Sequence, residues 1–261
     1  MSNIKKFRIT KYKKAVRPII QMKGMYKKYG QKNVIQDLDL NILPSSINGL
    51  LGPNGSGKTT LFNLLLGIVK ADTGQIFGCL DGKKTSRIDY LPIHERCKKY
   101  KIGFIPQNES LFRGLSCEDN LKGVGEIVLK DKRQVEEKVE NLLTEFSLSE
   151  CRQTLASDLS GGQKKKLSIA RALIGDCRIL FMDEIFSAID PITIEMIKDT
   201  IVKLQVTRNI TILISDHAFE NVLQIADNIF ILSEGKITSQ GKPSEIVKDT
   251  RARKVYFGES Y

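Results

Sequence analysis

At 261 residues the chain can bury one large core or two small ones, and its 41% hydrophobic and 27% charged residues are ordinary for a folded protein. No apolar run approaches the ~18 residues needed to span a bilayer. The N-terminus begins with lysines rather than a basic-then-apolar pattern, so export is not expected, and five scattered cysteines with no Cys-x-x-Cys pair read as reduced thiols rather than a disulfide framework or a zinc site.

The net charge of +11 belongs to the front of the chain. Residues 1–36 hold eleven Lys and Arg with no acid, which leaves 30 basic against 30 acidic residues in the remainder. Residues 1–18 read as a basic arm, with Ile4, Phe7, Ile9 and Tyr12 set between the cations. Such an arm is drawn to nucleic acid or to an anionic lipid leaflet, where the apolar residues suit the interface; a solvated tail is the plainer expectation. Residues 19–261 read as one domain.

Ile47–Leu51 is the first candidate strand. Gly52-Pro53-Asn54-Gly55-Ser56-Gly57-Lys58-Thr59 follows at once and matches G-x-x-x-x-G-K-[ST], and the helical pattern Thr60–Leu66 comes next. A phosphate-binding loop needs this strand–loop–helix context. The glycines let backbone N–H groups curl around phosphates, Lys58 adds a point charge, and the Thr59 hydroxyl suits magnesium. The runs Lys101–Ile105, Arg178–Met182, Ile210–Ile214 and Asn228–Leu232 are nearly continuous in β-branched residues and leucine, as strands buried on both faces require. Their alternation with helix-length stretches predicts an α/β fold around a largely parallel sheet.

Between Ser116 and Leu159, Val135, Val139, Leu142, Leu143 and Phe146 fall at helical spacing among dense charges, which predicts an inserted helical subdomain over about residues 116–175. Leu159-Ser160-Gly161-Gly162-Gln163 then precedes a helical run over Lys164–Leu173. A hydroxyl and glycine amides at a helix start form a second phosphate-binding surface. The run Arg178–Met182 ends in two carboxylates. Asp183 is placed to hold magnesium and Glu184 to orient an attacking water. Asp190-Pro191 opens a further helix, with Asp190 as its cap.

With Leu-Ser-Gly-Gly-Gln about a hundred residues after a phosphate loop, the chain from about Ile20 resembles the ABC ATPases. The resemblance implies a P-loop NTPase core with a mostly parallel sheet, an antiparallel β subdomain and the helical insert. It implies ATP and Mg2+ as ligands, with Gly52 through Thr60 on the phosphates and Thr59, Asp183 and Gln107 on the metal. Glu184, His217, Gln107 and Lys58 become the catalytic set: Gln107 matches the glutamine loop and His217 the switch histidine. Ser187-Ala188-Ile189-Asp190 matches the loop that communicates across a dimer. Tyr29 matches the aromatic that stacks on adenine, with Tyr26 as its competitor. Ser160, Gly161, Gly162 and Gln163 would meet the ATP of a second copy, so a homodimer is implied. Ile185 departs from the proline usual after the glutamate.

Three stretches resemble lipopolysaccharide-export ATPases: Tyr90–Arg96, Ser110–Ser116 with Asp119-Asn120-Leu121, and the ending Lys254–Glu259. The ending also resembles branched-chain amino-acid importer ATPases, and a soluble iron–sulfur assembly ATPase is a further alternative. Transmembrane permease subunits are expected to dock near Gln107–Ser116, where Phe112 and Arg113 suit a short helix, or Phe112 is a partly buried core residue. The expected place is the cytoplasmic face of the inner membrane, with no nucleic acid as partner.

Overall fold

The computed structural model describes residues 16–108 and 110–257. Residues 1–15 of the basic arm, and Gly258 and Glu259 of the ending, lie outside the described residues.

Strands β1 (Ile20–Tyr29), β2 (Lys32–Ile42), β4 (Thr73–Gly78) and β5 (Ser86–Arg87) form an antiparallel sheet in the order β2-β1-β4-β5. The second sheet is built from β3 (Ile47–Leu51), β6 (Ile102–Ile105), β7 (Ile179–Asp183), β8 (Thr211–Ser215), β9 (Asn228–Ser233) and β10 (Lys236–Gly241). Its order is β10-β9-β3-β8-β7-β6, with β10 antiparallel to β9 and the other pairings parallel.

Every residue of β3, β7 and β8 is buried. The pleat explains why, because successive side chains point to opposite faces and each face has its own core. Ile179, Phe181, Leu213, Phe230 and Leu232 join one apolar cluster with the antiparallel sheet and helix α1 (Lys58–Leu66). Leu180, Met182, Ile212, Ile214 and Ile231 join a second cluster with helices α3 (Cys117–Leu129), α4 (Lys132–Glu145), α5 (Gly161–Ala172), α6 (Pro191–Arg208) and α7 (Phe219–Ile225). The parallel sheet is therefore the wall between two cores.

The helices begin where side chains can cap them. Ser116 caps α3, Asp131 caps α4, and Asp190 with Pro191 opens α6 as the sequence predicts. Two helices start earlier than their apolar patterns suggest. Helix α1 begins at Lys58 because Gly57, at φ 110°, turns the chain into it. Helix α5 begins at Gly161 because Ser160 and Gln163 form a reciprocal capping box.

Helix α2 (Ile93–Tyr100) carries Arg96, which is 2% exposed. Its guanidinium donates to the carbonyls of Leu64 (2.6 Å) and Leu65 (2.9 Å) at the end of α1, and to those of Asp89 (3.0 Å) and Leu91 (3.1 Å). A buried cation is tolerated there because it faces the negative end of a helix. Gly67 leaves it room: a Cβ at that position would stand 2.9 Å from the guanidinium carbon. Among the described residues no helix is long and apolar enough to cross a membrane.

Candidate functional site

The loop from Gly52 to Gly57 links β3 to α1. Gly52 passes so close to β9 that a Cβ would lie 2.1 Å from the Leu232 carbonyl oxygen, so no larger residue fits. Ser56 is buried and its Oγ has no hydrogen-bond partner among the described residues. Lys58 is 7% exposed and donates to the carbonyls of Gly52 (2.6 Å) and Pro53 (3.0 Å). Burial lowers its pKa, while the carboxylates of Glu184, Asp183 and Asp216 act in the opposite direction. The loop thus offers a nearly dry cation, a free hydroxyl and the first N–H groups of a helix, a set of donors suited to phosphate oxygens.

Three side chains converge from the ends of neighbouring parallel strands. Ile105 pairs with Met182 and Asp183 with Ser215, so the tips of β6, β7 and β8 lie side by side. Gln107 follows β6, Glu184 follows β7 and His217 follows β8. The Gln107 amide donates to Glu184 Oε2 at 2.6 Å, and His217 Nε2 stands 2.7 Å from Glu184 Oε1. An ionised carboxylate only accepts, so such a contact selects the imidazole form with a proton on Nε2. The Glu184 backbone is left-handed at φ 52°, and its N–H donates to the Ser215 carbonyl at 2.7 Å. Ile185, where the resemblance leads one to expect proline, is wholly buried in the larger core.

Asp183 is 4% exposed, and burial raises its pKa. The Thr59 hydroxyl lies 3.5 Å from its Oδ2. A hydroxyl and a desolvated carboxylate are hard oxygen donors of the kind magnesium takes, while the Gln107 amide is engaged with Glu184. Among the described residues no group of three His, Cys, Asp or Glu could hold a metal alone, so a cation here would draw its remaining ligands from phosphate and water.

The cleft over the loop is lined by Lys32, Val34, Asn54, Gly55, Gly57, Lys58, Thr59, Thr60, Glu184 and His217. Lys32, which sequence reasoning missed, faces Tyr29 across the β1–β2 ladder, whereas Tyr26 faces Thr73. Tyr29 itself does not line the cleft but pairs with a residue that does, and it is 45% exposed with Lys27 Nζ 5.4 Å from its ring centre. A larger groove of 590 Å³ between β2 and β10 is lined by Asp37, Asp39, Lys236 and Arg251 among others, and contains none of the loop residues. The loop residues, Glu184 and His217 line the smaller cleft.

Ser160, Gly161, Gly162 and Gln163 do not line that cleft. They cap α5, with Ser160 Oγ accepting from Gln163 N (3.2 Å) and Gln163 Oε1 accepting from Ser160 N (2.9 Å). Gly162 packs on Thr193 at the start of α6, where a Cβ would stand 3.0 Å away. Within one copy the Ser160–Gln163 edge therefore stands apart from the cleft over the Gly52–Gly57 loop.

Near the tip of β6, Phe112 is 51% exposed and Leu115 41% exposed, so Phe112 is no core residue. Arg171 lies over the Phe112 ring at 5.6 Å and donates to the Ser110 carbonyl at 2.6 Å. The loop is held by Asn120, fully buried on α3. It accepts from Phe112 N (2.9 Å) and donates to the carbonyls of Phe112 (3.0 Å), Leu115 (3.3 Å) and Ser116 (3.0 Å). No pattern in the sequence announces that role, because its partners are backbone groups.

A family model described as ABC transporter matches residues 35–187. The lipopolysaccharide export system ATP-binding protein LptB of Haemophilus influenzae is 37% identical over 245 residues, covering 93% of this chain and 98% of that protein. LptB of Acidithiobacillus ferridurans is 37% identical over 243 residues, with the same coverage. Among solved structures, the ADP conformation of MJ1267, an ATP-binding cassette of an ABC transporter, superimposes with a TM-score of 0.81 at 26% identity over 92% of this chain and 99% of that one.

Proposed function

The chain belongs to the ABC transporter family of ATP-hydrolysing subunits, and we propose that it drives lipopolysaccharide export as a homodimer docked on membrane subunits at the cytoplasmic face of the inner membrane. The observation that carries the cargo assignment is the end-to-end likeness to LptB, 93% of this chain against 98% of that protein.

Each ATP lies between the Gly52–Thr60 loop of one copy and the Ser160–Gln163 edge of the other. A helix N-terminus suited to phosphate that stands apart from its own chain's cleft supports this reading. Lys58 meets the phosphates with its charge, and Tyr29 stacks on the base. Thr59, Asp183 and Gln107 would hold Mg2+, which when bound neutralises phosphate charge. Glu184 orients and polarises the attacking water, while His217 and Gln107 fix its two carboxylate oxygens. Closure reaches the membrane subunits through Gln107 and the exposed Phe112–Leu115 loop, whose aromatic and apolar side chains suit a partner helix.

The test is to express the chain with its membrane partners, purify the complex in mild detergent, and reconstitute it in vesicles loaded with lipopolysaccharide. ATP-dependent extraction of the lipid is the expected result. A chain that stays out of the membrane fraction when its partners are present, or a complex that moves amino acids instead, overturns the reading.

A further inference from the structure

Asp216 has no assigned part in the scheme above. It stands between Ser215, the last residue of β8, and His217, and it is 2% exposed. Its two oxygens are divided between two segments: Oδ2 accepts from Phe186 N at 2.8 Å, and Oδ1 accepts from Ala218 N at 2.9 Å. Phe186 lies two residues beyond Glu184, and Ala218 directly follows His217.

The turn that carries Glu184 needs such a tie. A left-handed backbone at a non-glycine residue is unfavourable and persists only where the surroundings over-determine it. Here Glu184 N–H is held by the Ser215 carbonyl, Ser187 Oγ donates to the Glu184 carbonyl at 2.7 Å, and Phe186 N–H is held by Asp216. Of these groups, the carboxylate alone holds an N–H on each turn, Phe186 beyond Glu184 and Ala218 beyond His217, while the Ser215 carbonyl ties the two turns at their base. Hydrogen bonds from N–H to an ionised carboxylate are the strong kind.

We infer that Asp216 is a positioning residue for ATP hydrolysis: one buried carboxylate locks the Glu184 turn to the His217 turn and so sets the 2.7 Å contact between them. This rests on the reading of Glu184 as the water-orienting group. Asp216 touches no substrate and acts through its two neighbours. Its loss is a fault of aim, and an error of about 1 Å in a reacting group costs on the order of 100-fold in rate.

The test uses the full chain with Mg-ATP and the variants Asp216→Asn, Glu184→Gln and the double variant. Asparagine keeps one acceptor but turns an NH2 group toward one of the two N–H donors. The expected result is a kcat about 10- to 100-fold lower per mole of nucleotide bound, with KM within about threefold of wild type. In the Glu184→Gln background the same change adds less than about threefold, because no base remains to be aimed. Wild-type kcat in Asp216→Asn, or losses that multiply in the double variant, overturns the inference. Should Asp216→Asn fail to fold, Asp216→Glu, which keeps the charge but displaces its oxygens, is judged by the same criteria. Unchanged turnover in Glu184→Gln alone would instead indict the reading of the site itself.

Discussion

Truncating Asn120 to alanine tests whether a single buried amide shapes the Phe112 loop. Its two amide protons are shared among three carbonyls, and its oxygen takes the Phe112 N–H. That amounts to about three hydrogen bonds at about 1 kcal/mol net each. Alanine returns roughly 0.5 kcal/mol through its better helix propensity in α3. The expected loss is therefore about 2 to 3 kcal/mol, read as a lowered midpoint in urea unfolding of the isolated chain. Asn120→Asp sharpens the test, because it keeps the acceptor for Phe112 N–H but points charge at three carbonyl oxygens. It should cost at least as much as alanine. A loss below about 1 kcal/mol for Asn120→Ala, well short of the sum of net hydrogen bonds, or an aspartate variant more stable than the alanine one, refutes the reasoning.

Glu184→Gln should leave ATP binding intact, cut turnover by about 100- to 10,000-fold, and give a dimer on size exclusion only with ATP; a monomer under those conditions contradicts the composite site. Lys58→Ala should abolish tight nucleotide binding in a fluorescent-ATP titration, and unchanged affinity would remove the lysine from its role. Glu118 is held to a pKa of about 2, chiefly by hydrogen bonds from Arg152 and then Lys122. A depressed carboxylate stabilises above its unfolded value, 4.5, and loses that contribution as pH falls toward about 2. Urea midpoints should decline across that window, and Glu118→Gln should flatten the decline. Deleting residues 2–15 should spare hydrolysis in the isolated chain, and a dead enzyme would make the arm part of the fold.

What could be read in the sequence was whatever is contiguous. The phosphate loop, the Asp183-Glu184 pair and the Ser160–Gln163 edge each declare themselves within a few residues, because one backbone path builds each. Gln107, Glu184 and His217 could be grouped only through resemblance: their contact depends on parallel register between β6, β7 and β8, which the apolar runs do not encode. The antiparallel sheet was visible only through resemblance. Pairing along β1 shifts register between Met22 and Met25 and again around Lys27, which erases the alternation that marks a half-buried strand. Arg96 and Asn120 fall in stretches that carry the resemblance, yet their roles, like that of Lys32, were not legible for a common reason. Nothing in a linear chain shows which carbonyls a side chain will reach or which cleft it will border.

The guanidinium at the tail of α1 makes that helix a strut gripped at both ends. Its nine residues span about 13 Å from the phosphate loop to Arg96. The far end is not loose in solvent, since the same arginine also holds the Asp89–Leu91 chain and belongs to the helix that leads into β6 and Gln107. The phosphate loop and the chain that runs into Gln107 are thereby joined through a single helix with no slack at either end.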